Sequence, residues 1–80
     1  MSRAREVVEI LARALVDQKD DIEIREKDLP DSNKIIVKTG SGDLGKLIGR
    51  QGRTATAIRK LTDVAAEVDG RRAMVDFVDD

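Results

Sequence analysis

The spacing of apolar and polar residues along the chain predicts six elements of regular structure. Apolar side chains recur every three to four residues in the first and fifth segments, as on one face of a helix. Short apolar, β-branched runs are typical of strands. The six are a helix at residues 3–17, strands at 22–25 and 34–38, a short helix through Leu44, Leu47 and Ile48, a helix from about 53 to 67 and a strand at 72–78.

The second predicted strand is apolar on both faces, which suits the centre of a sheet. Turn-forming residues at 29–33 make the first two strands antiparallel neighbours. Two helices separate the second strand from the third, so these strands can pair in parallel through a right-handed crossover. The sequence therefore predicts an α+β fold in which a three-stranded mixed sheet carries three helices on one face.

The first helix is expected to start at an N-cap, Ser2, and to pack against its own sheet. Its 15 residues carry enough apolar side chains for one buried face. We expect that face to consist of Val7, Leu11, Ala14 and Leu15, widened by Val8 and Ile10.

The turn between the last two helices concentrates positive charge. Gly49 and Gly52 bound a tight turn that holds two long polar residues, Arg50 and Gln51. Residues 44–60 carry five positive charges and no negative one, whereas the other 63 residues carry ten positive and sixteen negative charges. Because the turn leads into a helix N-terminus, unpaired amides and the helix dipole favour a phosphate there. A tight connection without a ligand is the simpler alternative.

The pattern Ile48-Gly49-x-x-Gly52, followed by Ile58, resembles the KH domain, which binds single-stranded nucleic acid. In that family the Gly-x-x-Gly loop clamps about four nucleotides. A helix and a strand precede the minimal motif here, as in the type II, bacterial arrangement. The resemblance covers nearly the whole chain and is nearest to small stand-alone bacterial proteins of the KhpA type. It implies that residues 1–80 form a single type II KH domain of the order α-β-β-α-α-β.

The resemblance and the charge pattern imply a non-catalytic protein that binds single-stranded RNA in a groove beside the loop. The glycines would admit the RNA backbone, the long polar side chains would contact phosphate or sugar, and aliphatic side chains would face the bases. Arg59 is a further candidate for a phosphate contact, with a solvated helix face as the alternative. The expected RNA-binding residues are Lys46, Ile48, Gly49, Arg50, Gln51, Gly52, Arg53 and Ala55.

The resemblance also implies partners and a cellular role. Proteins of this type are expected to form homodimers, to pair with a larger Jag-type KH protein and to act in the cytoplasm as RNA chaperones or post-transcriptional regulators, in complexes linked to cell shape and division. Two alternatives stay open from the residues alone. One is a protein-interaction module. The other is binding of single-stranded DNA, which only contacts to the 2′-hydroxyl distinguish from binding of RNA.

Composition argues against several other functions. The chain contains no cysteine and no histidine, so zinc fingers and histidine-based catalysis are excluded, and we expect no metal, no cofactor and no enzymatic activity. Phe77 is the only aromatic residue, which argues against RRM and cold-shock modules.

A near P-loop runs from Gly40 to Lys46, but Leu47 follows it where magnesium coordination needs Ser or Thr. A dinucleotide pattern over the same glycines lacks the long sheet that it requires. No apolar run has the length of a membrane span, and no signal peptide is evident.

Overall fold

The computed structural model of the chain describes residues 2–79 and shows the predicted elements in the predicted order. Two 3₁₀ turns are added to them, one at Lys19–Asp21 before the first strand and one at Arg50–Gly52 between the last two helices. The helices are α1 (Arg3–Leu15), α2 (Leu44–Ile48) and α3 (Arg53–Val68), and the strands are β1 (Glu23–Asp28), β2 (Ser32–Thr39) and β3 (Arg72–Asp79).

The sheet has the order β1-β2-β3, with β2 at its centre. β1 and β2 are antiparallel, with Ile24 opposite Val37, and β2 and β3 are parallel, with Ile35 opposite Val75. Ile35 and Val37 are fully buried in the single core cluster between the sheet and the helices. The prediction of a mixed three-stranded sheet with its helices on one face is therefore confirmed.

The prediction for the buried face of α1 was partly wrong. The residues that α1 buries completely are Ala4, Val8 and Ala12, which lie one turn apart on one face. Ile10 is 68% exposed and Leu15 is 39% exposed, although both were expected to be buried. Two of the three fully buried residues are alanines, and a pattern that ranks residues by hydrophobicity gives alanine too little weight.

A partly buried polar network connects the turn after α3 to the loop between β1 and β2. The guanidinium of Arg71 donates to the carbonyl oxygens of Leu29, at 2.5 Å, and Ser32, at 2.7 Å, and also to the side-chain oxygen of Asn33. Asn33 is 4% exposed and donates in turn to Glu26. Because each of these buried polar groups has a partner, the network holds the start of β3 beside the start of β2.

The start of α1 and the end of α3 follow the predicted chemistry. The hydroxyl of Ser2 accepts a hydrogen bond from the backbone N–H of Arg5 at 3.0 Å, which confirms the N-cap of α1. α3 ends where expected, with the N–H of Gly70 bonded to Glu67 and the N–H of Arg71 bonded to Ala66, both at 2.9 Å. Across residues 2–79, no helix combines the length and the apolar character needed to cross a membrane.

Candidate nucleic-acid interface

The turn between α2 and α3 has a backbone that only certain residues adopt readily. Gly49 has φ 74° and ψ 176°, and Gly52 has φ 73° and ψ 12°. Between them Gln51 has φ 57°, the one positive value among the non-glycine residues of 2–79. These conformations favour glycine at both ends of the turn and cost a side chain of order 1–3 kcal/mol. The turn therefore projects Arg50 and Gln51 into solvent.

Gly49 is required for a second reason, which is space. A Cβ atom added there would lie 2.7 Å from the Cβ of Thr54 and would also overlap its hydroxyl. At Gly52 the added Cβ would meet nothing within 4 Å. The first glycine is thus demanded by packing and conformation together, and the second by conformation alone.

The turn opens directly onto the start of α3, a helix of 16 residues. Gly52 occupies the N-cap position and supplies no side-chain hydrogen bond, and the first turn of α3 contains no acidic residue. The positive end of the helix dipole therefore stays uncompensated by side chains. Arg50 and Arg53 are exposed beside it, so that amides and guanidinium groups share one place suited to a phosphate.

Lys46 is less free than the sequence suggested. Its ammonium lies 3.2 Å from a carboxylate oxygen of Asp17 and 3.1 Å from one of Asp43. Asp43 is almost fully buried, and it also accepts a hydrogen bond from the backbone N–H of Gln18 at 2.9 Å. That N–H first, and Lys46 second, hold the pKa of Asp43 below its ordinary value, while the carboxylates raise the pKa of Lys46.

In the folded protein the positive charge of Lys46 is thus paired with two carboxylates of the same chain, those of Asp17 and Asp43. Asp43 lies only three residues before Lys46, whereas Asp17 is brought to it by a tertiary contact that local spacing does not show. A role for Lys46 in binding phosphate stays a prediction.

The two aliphatic candidates differ in exposure. Ile48 is half-buried and keeps surface for a ligand, whereas Ala55 is only 3% exposed. Leu47, beside Ile48, is fully buried in the core. The structure therefore brings the glycines, Arg50, Gln51, Arg53 and Ile48 together at one surface and places Ala55 beneath it.

Arg59 occupies a position that sequence reasoning did not foresee. Its Nε and Nη2 atoms both donate to the main-chain oxygen of Val75, at 3.3 and 3.2 Å. Its Cζ atom lies over the ring of Phe77, 5.2 Å from the ring centroid. The side chain is thus held on the edge strand β3. Local spacing could not show this, because Val75 and Phe77 follow Arg59 by 16 and 18 residues.

Comparison with known proteins gives a consistent relationship along the chain. A family model described as KhpA/KhpB, KH domain, matches residues 5–77. The chain is 44% identical over 70 residues to the RNA-binding protein KhpA of Leifsonia xyli subsp. xyli, covering 88% of this chain and 90% of that protein. It is 42% identical over 73 residues to its counterpart in Halalkalibacterium halodurans, covering 91% and 96%. The counterpart in Aquifex aeolicus is 32% identical over 79 residues, with 99% and 100% covered.

Solved structures of a larger protein, Era, contain a similar fold. A crystal structure of Aquifex aeolicus Era bound to GDP and AlF4− aligns with a TM-score of 0.69 at 19% identity, covering 95% of this chain and 30% of that one. A structure of Era with MgGDPNP and nucleotides 1506–1542 of 16S ribosomal RNA aligns with a TM-score of 0.68 at 18% identity, covering 95% and 29%. At this identity the likeness concerns the fold alone.

Proposed function

We propose, because this chain belongs to the KhpA/KhpB family of KH domains, that it binds single-stranded RNA at the turn from Gly49 to Gly52. One observation carries the proposal: the turn exposes Arg50 and Gln51 at the uncapped start of α3, with no acidic residue in its first turn. A phosphate there would meet backbone amides, the helix dipole and a guanidinium at once. The relatives' name, RNA-binding protein KhpA, supports RNA as the ligand.

The proposed mode is a clamp on about four nucleotides without catalysis. The glycines admit the RNA backbone, Arg50, Gln51 and Arg53 contact phosphate or sugar, and Ile48 offers an aliphatic surface to a base. The one aromatic side chain of the protein, Phe77, is partly buried against the core, so little stacking on aromatic rings is offered. Binding by one domain is therefore weak and only modestly sequence-selective, which suits an RNA chaperone or post-transcriptional regulator in the cytoplasm.

The test replaces both residues at the tip of the turn, Arg50→Asp and Gln51→Asp. Two carboxylates then face the phosphate site, while an aspartate tolerates the positive φ of position 51 better than most residues. We expect the double variant to lose at least ten-fold in affinity for a single-stranded RNA, by fluorescence anisotropy, with a melting temperature close to that of the wild type. Exposed substitutions typically change stability by about 0.5 kcal/mol or less.

Lys27 lies opposite Lys34, near the start of β2, whereas α2 and the turn follow the end of β2. The control, Lys27→Asp, therefore reverses a positive charge far from the turn. It should bind RNA nearly as well as the wild type. A folded double variant with wild-type affinity would remove the turn as the RNA site. Single-stranded DNA of the same sequence, measured in parallel, separates RNA binding from the alternative of DNA binding.

A second candidate function, protein interaction, is favoured by an apolar groove between α1 and α3. Its lining is almost entirely hydrocarbon and includes side chains that are 53–68% exposed, which is unusual for a surface without a partner. We propose that a second copy of the chain covers it, because two identical apolar surfaces bury each other in a two-fold dimer. The groove is lined by Val7, Ile10, Leu11, Leu61, Val64 and Ala65.

Sedimentation tests the homodimer through Val64→Asp, which places a charge in the groove at a side chain that is 60% exposed. We expect the wild type to self-associate weakly at high micromolar concentration and the variant to stay monomeric. Val78→Asp, at an exposed apolar residue of β3, is the matched control and should associate like the wild type. A wild type that is monomeric throughout leaves a different KH protein, of the Jag type, as the partner to mix with it.

A further inference from the structure

We infer that the guanidinium of Arg59 is a stacking platform for one base of the bound RNA, and not a phosphate contact. The inference rests on the proposed function, since it concerns the same bound strand. It assigns to one side chain the role that exposed aromatic rings play in other single-strand binders. Three features of Arg59 lead to it: a restrained plane, a place between an aromatic ring and solvent, and a position along α3 from the turn.

The plane of the guanidinium is fixed by the protein itself. Two of its nitrogens, Nε and Nη2, donate to the single oxygen of Val75, at 3.3 and 3.2 Å. Two hydrogen bonds from one planar group to one acceptor restrain rotation about the end of the side chain. The group is thus ordered before RNA arrives, and stacking a base on it costs little further side-chain entropy.

The guanidinium lies between an aromatic ring and solvent. Phe77 lies against the group, with Cζ 5.2 Å from the ring centroid, and Phe77 itself packs against the core. Arg59 as a residue is exposed, and among residues 2–79 it forms no ion pair with a carboxylate. A delocalised guanidinium between an aromatic ring and solvent presents a flat, weakly hydrated surface, which is what a nucleobase stacks on.

Arg59 also lies where the strand would pass. It follows Gly52 by seven residues, two turns of α3, so that both fall on the same side of the helix about 10 Å apart along its axis. A strand whose phosphate sits at the turn and that follows α3 towards β3 reaches Arg59 within the four nucleotides of the clamp. Because Arg59 covers Phe77, the base meets the guanidinium and not the ring.

The experiment changes the plane and keeps the charge, with Arg59→Lys. Affinity is measured by anisotropy for a short single-stranded RNA and for an RNA of the same length whose central residues are abasic. Stacking of one base is typically worth about 1–3 kcal/mol. We therefore expect the variant to bind the intact RNA about five-fold or more weakly and the abasic RNA like the wild type. The slope of affinity against salt should not change, since no charge is lost.

Arg25→Lys is the matched control, because it makes the same exchange at an exposed arginine of β1, outside the proposed site, and should alter neither affinity. A second readout uses the wild type alone: the NMR signal of the Arg59 side-chain Nε–H should move upfield with intact RNA, under the ring current of the base, and not with abasic RNA. It does not depend on how the variant folds.

Three results would overturn the inference. The first is an Arg59→Lys variant that binds intact RNA as tightly as the wild type. The second is a variant that loses affinity equally for intact and abasic RNA, which indicates a phosphate contact or a general structural role. The third is an Arg59 signal that responds in the same way to both RNAs. If Arg59→Lys is silent while the Arg50 and Gln51 double variant loses RNA, only this inference fails. If the wild type binds neither RNA, the proposed function fails with it.

Discussion

Lys46 shows how neighbouring side chains change the meaning of a charged residue. It lies one turn before the glycine turn, and its sequence position made it a source of free positive charge. In the folded protein Asp17 and Asp43 both lie within 3.2 Å of it. Asp43 is nearly buried and is tied to the loop after α1 through the N–H of Gln18. The ion pairs of Lys46 therefore connect the segment after α1 to the start of α2, whether or not a ligand is bound.

The buried carboxylate of Asp43 leads to a prediction for acid unfolding. Its pKa in the folded protein is lowered, chiefly by the N–H of Gln18 and then by Lys46, from an ordinary value of about 4. A lowered folded pKa means that the stabilisation is present above about pH 4 and is lost as the pH falls through the folded value. We expect the free energy of unfolding to be nearly constant from pH 7 to 5 and to fall steeply below about pH 4.

Urea unfolding at several pH values measures this, with Asp43→Asn as the test and Asp20→Asn, at an exposed position, as the control. The Asp43 variant should be less stable at pH 7 and should lose less stability on acidification, because its side chain no longer takes up a proton. Asp69, whose pKa is lowered by the N–H and the guanidinium of Arg3, keeps part of the acid slope in both. Equal acid slopes in the Asp43 variant and the wild type would contradict the assignment.

At the scale of elements, the turn between α2 and α3 combines two glycines with different requirements. Gly49 lies at φ 74° and ψ 176°, a region nearly restricted to glycine, and touches Thr54. Gly52 lies in the left-handed helical region, with open space around it. Position 49 therefore has no room for a side chain, whereas position 52 has space for a small one.

Alanine at each glycine should separate these requirements. We expect Gly52→Ala to destabilise the fold by about 1 kcal/mol, the usual cost of a left-handed conformation for a residue with a Cβ. Gly49→Ala should cost more, roughly 3 kcal/mol, because it adds an overlap with Thr54 to a less favourable backbone conformation. Chemical denaturation of both variants checks the order. Equal losses would show that Thr54 moves aside freely.

The molecule as a whole separates its charge by region. The net charge is only −1, yet the five positive charges of residues 44–60 stand without a negative residue among them. In the folded protein Lys46 is paired with carboxylates from outside that segment, and Arg59 is hydrogen-bonded to the edge strand β3. Attraction for RNA therefore depends on a local patch around the turn and not on the charge of the whole protein.

This separation predicts how binding depends on salt. If three phosphates are neutralised, the logarithm of the affinity should fall with the logarithm of the salt concentration with a slope of about −2, since each phosphate of a single strand contributes about −0.7. Arg50→Gln should make the slope shallower by about 0.7, whereas Lys27→Gln should leave it unchanged. Titrations of RNA from low to high salt measure it. An affinity independent of salt would mean that the basic patch is not the binding surface.

Local and sequential features of this protein were determined by its sequence. The order of the elements, the central place of β2, the N-cap Ser2 and the end of α3 follow from periodicity and capping chemistry, which act over a few residues. The Gly-x-x-Gly turn could be identified in the same way, because glycines at that spacing between two apolar helical segments already restrict the backbone.

Tertiary structure decided what depends on residues far apart in the chain. It selected Ala4, Val8 and Ala12 as the buried row of α1, two of which are small side chains that a hydrophobicity pattern ranks low. It also placed the carboxylate of Asp17 beside the ammonium of Lys46 and the guanidinium of Arg59 at the carbonyl oxygen of Val75. Spacing along one helix specifies which residues share a face, but the charge, plane and exposure of a side chain depend on what the opposite element places against that face.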